Sequence, residues 1–81
     1  MSEPVSIQKA LLDATARLSD LSDSARLDAE LLLARAIDMP RSFLFAHPED
    51  TLDIAALERF TDVIARRADG VPLAYITGAK E

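Results

Sequence analysis

Hydrophobic residues recur along this chain at intervals of three and four positions, the spacing of one face of an α-helix. The first series follows Ser6, a residue type that caps helix N-termini, and consists of Ile7, Ala10, Leu11, Ala14 and Leu18. Polar residues then surround Leu21, and Ser24 is suited to cap another helix. The pattern predicts a helix that ends near Leu18, a turn, and a second helix that begins after Ser24.

The second predicted helix, residues 25–37, is apolar around more than half of its circumference. The apolar residues that cover this surface are Leu27, Leu31, Leu32, Leu33, Ala34 and Ile37. Such a helix is packed on several sides, so we expect it at the centre of the domain. Asp38, Met39 and Pro40 should end it, because proline disfavours a helical residue before it and suits the first turn of a new helix. A short helix from Pro40 to Ala46 is the natural continuation.

Residues 47–50 then indicate a turn, and Asp53 is the best N-cap for a long helix that ends near Asp69. The predicted buried face of this helix consists of Ile54, Leu57, Thr61, Ile64 and Ala68. Gly70 stands where a left-handed C-terminal cap belongs. Pro72 can open one further turn of helix through Ile76, closed by Gly78.

These elements predict an all-α fold, a compact array of four to five helices with no strand of its own. At 81 residues the chain is one domain of marginal stability. It contains no cysteine, so helix packing must hold it together without disulfides or a thiol metal site.

The charge balance narrows the range of partners. A net charge of −5 argues against direct binding of nucleic acid, whose affinity depends on neutralising phosphates. The apolar runs are too short to span a bilayer, and the first residues lack the basic and apolar regions of a signal peptide. We therefore expect a cytoplasmic protein without nucleic-acid or membrane partners.

Three stretches of the chain resemble the N-terminal domain of the HemK/PrmC family, in that family's order. They are ARLDAELLL at residues 25–33, RSFLFAHP at 41–48, and RRADGVPLAYITG at 66–78, followed by Lys80 and Glu81. The first is similar to the family's Arg-x-Asp-Ala-Glu-x-Leu-Leu segment on its second helix. Together the stretches extend over essentially the whole chain, which makes the resemblance specific.

The resemblance implies a function for a longer enzyme. Family members carry a Rossmann-like domain that binds S-adenosylmethionine, and they methylate the side-chain amide of the glutamine in the Gly-Gly-Gln motif of class 1 peptide chain release factors. The resemblance places a release-factor-recognition domain at residues 1–70 and the start of a linker to the methyltransferase domain at 71–81. The expected partners are the release factor and that catalytic domain.

The family's Asn-Pro-Pro-Tyr loop and glycine-rich cofactor loop do not occur in this sequence. The chain stops at Glu81, where the family usually continues with Phe-Trp, and so resembles a fragment of the enzyme. We expect no catalytic, cofactor-binding or metal-ligating residue in it.

Several side chains are candidates for contacts with a partner or with the catalytic domain: Arg26, Asp28, Glu30, Arg41, Arg66, Arg67 and Tyr75. Structural roles compete with this function. Acidic residues near a helix N-terminus and arginines near a C-terminus complement the helix dipole, and Arg26 can pair with Glu30 four residues on. Four residues indicate linker geometry, with the tyrosine as an anchor: Gly70, Pro72, Tyr75 and Gly78. A nucleotide-binding loop would instead need a preceding strand and Gly-x-Gly-x-x-Gly spacing.

Structural roles are the better explanation for the remaining candidate residues, which are the histidine and the aromatic side chains. His47 has no second histidine or cysteine within metal-ligand reach, and we interpret it as a surface turn residue. The core is expected to use most of the aromatic residues, which are Phe43, Phe45, Phe60 and Tyr75. An exposed one would be a candidate interface anchor.

Two other functional classes remain open at this point. Asp23-Ser24-Ala25 begins the second helix where acyl carrier proteins have Asp-Ser-Leu with the prosthetic group on serine, although Ala25 departs from that motif. A helical nucleic-acid module built on helices two and three is the other, and the acidic charge argues against it.

Overall fold

A computed structural model describes residues 4–21 and 23–77, which form five helices and one pair of very short strands. In chain order the elements are β1 (Val5–Ser6), α1 (Ile7–Leu18), α2 (Ala25–Ile37), α3 (Arg41–Ala46), β2 (Thr51–Leu52), α4 (Ile54–Ala68) and α5 (Leu73–Thr77). The predicted all-α fold class is confirmed. None of the helices within the described residues is long and apolar enough to cross a bilayer.

Helix α1 begins as its sequence predicts. The Ser6 hydroxyl accepts a hydrogen bond from the Lys9 backbone N–H at 3.1 Å, which satisfies one of the free donors of the first turn. The backbone N–H groups of Ile7 and Gln8 donate to the carbonyls of Asp50 and Pro48 at 2.8 and 2.9 Å. The complete predicted face is buried: Ile7, Ala10, Leu11, Ala14 and Leu18.

Helix α2 is the centre of the domain, since it contacts α1, α3, α4 and α5. Leu32 and Leu33 are fully buried among these neighbours. Leu27 is exposed and Leu31 is half-buried, so the predicted apolar circumference of α2 is not packed at these two positions. Alanines at 25, 29 and 36 form part of the buried surface instead.

Helix α2 ends in a Schellman motif built on an aspartate. Asp38 has the left-handed conformation, with φ 59° and ψ 44°. The Met39 N–H donates to the Ala34 carbonyl at 3.0 Å and the Asp38 N–H to the Arg35 carbonyl at 3.2 Å. Pro40 is the N-cap of α3, so the helix begins at Arg41, one residue after the start that we predicted.

Helix α4 has the predicted N-cap, because Asp53 Oδ1 accepts from the Ala56 N–H at 2.7 Å. Its buried face differs from the predicted one. Ala56, Phe60 and Ile64 are buried, whereas Ile54 is 73% exposed and Thr61 is exposed. The predicted and the observed series of apolar residues both contain Ile64 at helical spacing. The helix is oriented so that the observed series, which includes the large ring of Phe60, faces the core.

Beyond α4 the chain turns through Gly70, which has φ 97° as the left-handed cap requires. The Val71 N–H donates to the Arg66 carbonyl at 3.1 Å, which completes a second Schellman motif. Leu73 and Ile76 of α5 then pack against the core. The predicted closing residue, Gly78, lies outside the described residues.

The prediction of no strand was wrong in one place. Val5 pairs with Leu52 and Ser6 with Thr51 in an antiparallel ladder of two residues per strand. The ladder joins the start of α1 to the start of α4, and two residues are too few for an alternating sequence pattern to appear.

Candidate functional site

Glu30 is the centre of a cluster of charged residues on one side of α2. Its side chain is buried, and its two carboxylate oxygens face two different arginines. Arg26 Nε lies 2.8 Å from Oε2, and Arg41 Nε of α3 lies 3.4 Å from Oε1. The predicted pairing of Arg26 with Glu30 is confirmed. The pairing with Arg41 is a tertiary contact, which sequence spacing could not indicate.

Arg41 also lies over the ring of Phe45, four residues on along α3, with its guanidinium carbon 5.7 Å from the ring centroid. This is within cation–π distance. Phe45 is 55% exposed. The arginine pair and the aromatic ring therefore form one continuous surface, which we call the Arg26–Arg41–Phe45 patch.

Asp28 forms a second ion pair on another side of α2. Its carboxylate lies 3.3 Å from Arg67 Nε of α4, and both side chains are largely buried. Arg67 Nη1 also donates to the Val71 carbonyl at 3.2 Å. This arginine therefore connects α2, the end of α4 and the segment that leads to α5.

The other two candidates lie at the surface. Arg66 is exposed and is 3.5 Å from Asp62, one turn earlier on α4. Tyr75 is 79% exposed, so it does not anchor α5 to this domain, contrary to our prediction. Leu73 and Ile76 do so instead.

The expectation that the core uses most of the aromatic residues was wrong. Phe60 alone is fully buried, Phe43 is half-buried, and Phe45 and Tyr75 are exposed. Phe43 stacks on His47 with ring centroids 4.3 Å apart, and His47 Nδ1 is 3.4 Å from Asp50 in the predicted turn. Leucine, isoleucine and alanine fill the space that we had assigned to rings.

Arg59 has a structural role that the sequence did not reveal. Its Nε and Nη2 both donate to the Ala36 carbonyl, at 3.0 and 2.9 Å. The two bonds connect α4 to one of the free carbonyls at the end of α2. Residues 23 apart give no sequence signal for such a contact.

The described residues offer little for acid–base or metal chemistry. Among them, no group of three or more histidine, cysteine or acidic side chains is placed to hold a metal ion. A shallow groove between α1 and α4 is lined by Val5, Ala14, Leu57, Phe60 and neighbours. Its floor is apolar, and its charged lining residues, Asp13 and Arg17, lie on α1.

Comparison with known proteins decides between the alternatives left open by the sequence. The chain matches the PrmC N-terminal domain family over residues 9–78. A release factor glutamine methyltransferase of Pseudomonas aeruginosa is 60% identical over 57 residues, which cover 70% of this chain and 21% of that protein. One from Shewanella oneidensis is 38% identical over 81 residues, covering 100% of this chain and 28% of that protein. A bifunctional methyltransferase of Rickettsia conorii is 38% identical over 77 residues, covering 94% and 15%.

The chain thus spans about a quarter of the length of the two release factor enzymes. Ser24 stands at the N-cap position of α2, as an acyl carrier would require, but the matched family is a different one. Because the match extends over most of the chain, the protein belongs to the family of PrmC N-terminal domains.

Proposed function

We propose that this chain is the substrate-recognition and positioning domain of a protein-glutamine N5-methyltransferase. The enzyme methylates the glutamine of the Gly-Gly-Gln motif in class 1 peptide chain release factors and takes the methyl group from S-adenosylmethionine. The observation that carries the proposal is family membership together with relatives that are named release factor glutamine methyltransferases. Those relatives are several times longer than this chain, which leaves room for a separate catalytic domain.

The charged groups of the domain support a role in binding. Both buried carboxylates of the described residues, Asp28 and Glu30, are held in ion pairs with arginines. A carboxylate whose oxygens face arginines inside the fold is not placed to take a proton from a substrate. Methyl transfer needs a sulfonium held in line with an oriented amide nitrogen, and we assign that site to residues outside this chain.

A domain that only binds changes the kinetics in a characteristic way. Contacts that are equally strong in the bound complex and in the transition state lower KM and leave kcat unchanged. The protein substrate would gain from these contacts, and a short Gly-Gly-Gln peptide, which ends before it reaches the domain, would not. The release factor and the enzyme's own catalytic domain are then its partners. Nucleic acid is not one, given the net charge of −5, and the enzyme works in the cytoplasm with its substrate.

The test compares the full-length enzyme with a version that lacks residues 1–70. Methylation is followed with tritiated S-adenosylmethionine on whole release factor and on a short Gly-Gly-Gln peptide, after circular dichroism has shown that the shortened enzyme is folded. We expect KM for whole release factor to rise about tenfold or more, with kcat/KM for the peptide unchanged. Equal losses with both substrates would contradict a recognition role and leave the domain as a support for the catalytic fold.

A further inference from the structure

The Arg26–Arg41–Phe45 patch carries more positive charge than the fold requires. One buried carboxylate, that of Glu30, faces two guanidinium groups, so the cluster has a net charge of +1. A single arginine would neutralise Glu30. The second cation is therefore surplus, in a chain whose net charge is −5.

The two arginines are held in a way that leaves binding capacity at the surface. Each faces Glu30 through Nε, and within the described residues neither donates a hydrogen bond from its Nη groups. The side chains of Arg26 and Arg41 are 48% and 46% exposed. Because Glu30 accepts a hydrogen bond from Arg26 and lies within ion-pair distance of Arg41, an incoming anion meets donors whose rotamer freedom is already reduced.

The neighbouring ring favours a carboxylate on a protein over a nucleic-acid phosphate. Arginine and aromatic side chains are enriched where protein interfaces have their strongest contacts, and Phe45 exposes an apolar ring directly beside Arg41. A polyanion would instead need several cations along its backbone. One surplus charge beside one exposed ring matches a single acidic side chain surrounded by apolar surface.

The position of the patch on α2 favours an external partner. Glu30 follows Asp28 by two residues, which is about 200° around a helix. Asp28 faces Arg67 of α4, and Leu32 and Arg35, on the same side of α2 as Asp28, line a groove with Ile76 of α5. The patch therefore lies on the opposite side of the central helix from α5.

We infer that the Arg26–Arg41–Phe45 patch binds an aspartate or glutamate on the surface of the protein that the enzyme methylates, with Glu30 holding the two arginines in position. The inference rests on the proposed function and adds to it the surface involved and the chemistry of the contact. Arg26 and Arg41 would form ion pairs with the carboxylate, and Phe45 would pack on the adjacent apolar surface.

The test uses the full-length enzyme with the double substitution Arg26→Gln and Arg41→Gln. We expect KM for whole release factor to rise about tenfold or more, while kcat and the peptide kcat/KM stay unchanged. The control is Lys9→Gln, which breaks an exposed ion pair of the same i, i+4 spacing on α1 and should leave KM unchanged. Thermal unfolding of each variant shows whether the domain remains folded.

A second variant, Phe45→Ser, removes the exposed ring without opening the core and should raise KM for whole release factor severalfold. An unchanged KM in both the double variant and Phe45→Ser, together with a raised KM on deleting residues 1–70, would overturn the patch and retain the recognition role. A loss of equal size with protein and peptide would also overturn it, because the arginines would then contact the catalytic domain. Failure of the intact enzyme to methylate release factor or peptide would contradict the proposed function itself.

Discussion

Asp28 and Glu30 illustrate how two neighbouring carboxylates come to have different surroundings. They lie two residues apart on α2, and each is buried against an arginine from another helix. The partner of Asp28, Arg67, is itself only 19% exposed, whereas the partners of Glu30 reach the solvent. Loss of Asp28 therefore leaves a poorly hydrated cation inside the domain, and loss of Glu30 does not.

We expect Asp28→Asn to lower the free energy of unfolding by about 1–3 kcal/mol, because Arg67 would keep its charge without its partner. Asp62→Asn is the matched control, since it removes an aspartate whose partner, Arg66, is exposed; its effect should stay within about 0.5 kcal/mol. Urea unfolding monitored by circular dichroism measures both. Equal effects of the two substitutions would show that the Asp28–Arg67 pair does not stabilise the domain.

Adjacent leucines on α2 should differ in their contribution to stability. Leu33 is completely buried and Leu31 is half-buried. Leu33→Ala should lower the free energy of unfolding by about 2–5 kcal/mol, since it leaves a cavity in the core. Leu31→Ala, with the same change of side chain, should cost less than half as much, because part of that side chain is already in water. Similar losses in urea unfolding would contradict the packing described for α2.

At the level of the elements, the features that could be predicted depend on a few adjacent residues. Ser6, Asp53 and Gly70 set the ends of helices through their own side chains or conformations, so the sequence sufficed for them. The buried face of α4 could not be chosen correctly, because two overlapping series of apolar residues share Ile64 and only tertiary packing selects between them. The β1–β2 ladder and the contact of Arg41 with Glu30 join distant residues, and one sequence carries no signal for such pairs.

The end of α2 offers a test of the role of backbone conformation. Asp38 is a non-glycine residue at positive φ, and its carboxylate lies at the negative end of the helix dipole. Asp38→Gly should raise the free energy of unfolding by about 0.5–1 kcal/mol. Asp69→Gly is the opposite case, because Asp69 ends α4 with φ −82°; glycine there should destabilise the domain. The midpoint temperatures of thermal unfolding of the two variants should shift in opposite directions. Shifts in the same direction would contradict the role assigned to backbone conformation at these two helix ends.

If the domain acts as a binding module, its elements must together form a unit that folds on its own. The core draws on α1, α2, α3 and α4, with α5 packed against it, and β1 pairs with β2 directly before α1. We therefore expect the isolated chain to unfold in one cooperative transition on heating, followed by circular dichroism at two wavelengths. A gradual loss of signal would mean that other parts of the enzyme complete this core.

We propose that the domain contributes binding of the protein substrate and no part of the chemical step. The most direct test is the single-turnover rate of methylation of whole release factor at saturating concentration, in the full-length enzyme and in the folded enzyme that lacks residues 1–70. We expect equal rates at saturation, because uniform binding does not alter the barrier from the bound complex. A rate that stays about tenfold or more below that of the full-length enzyme, even at saturation, would contradict it, since the domain would then act on the transition state.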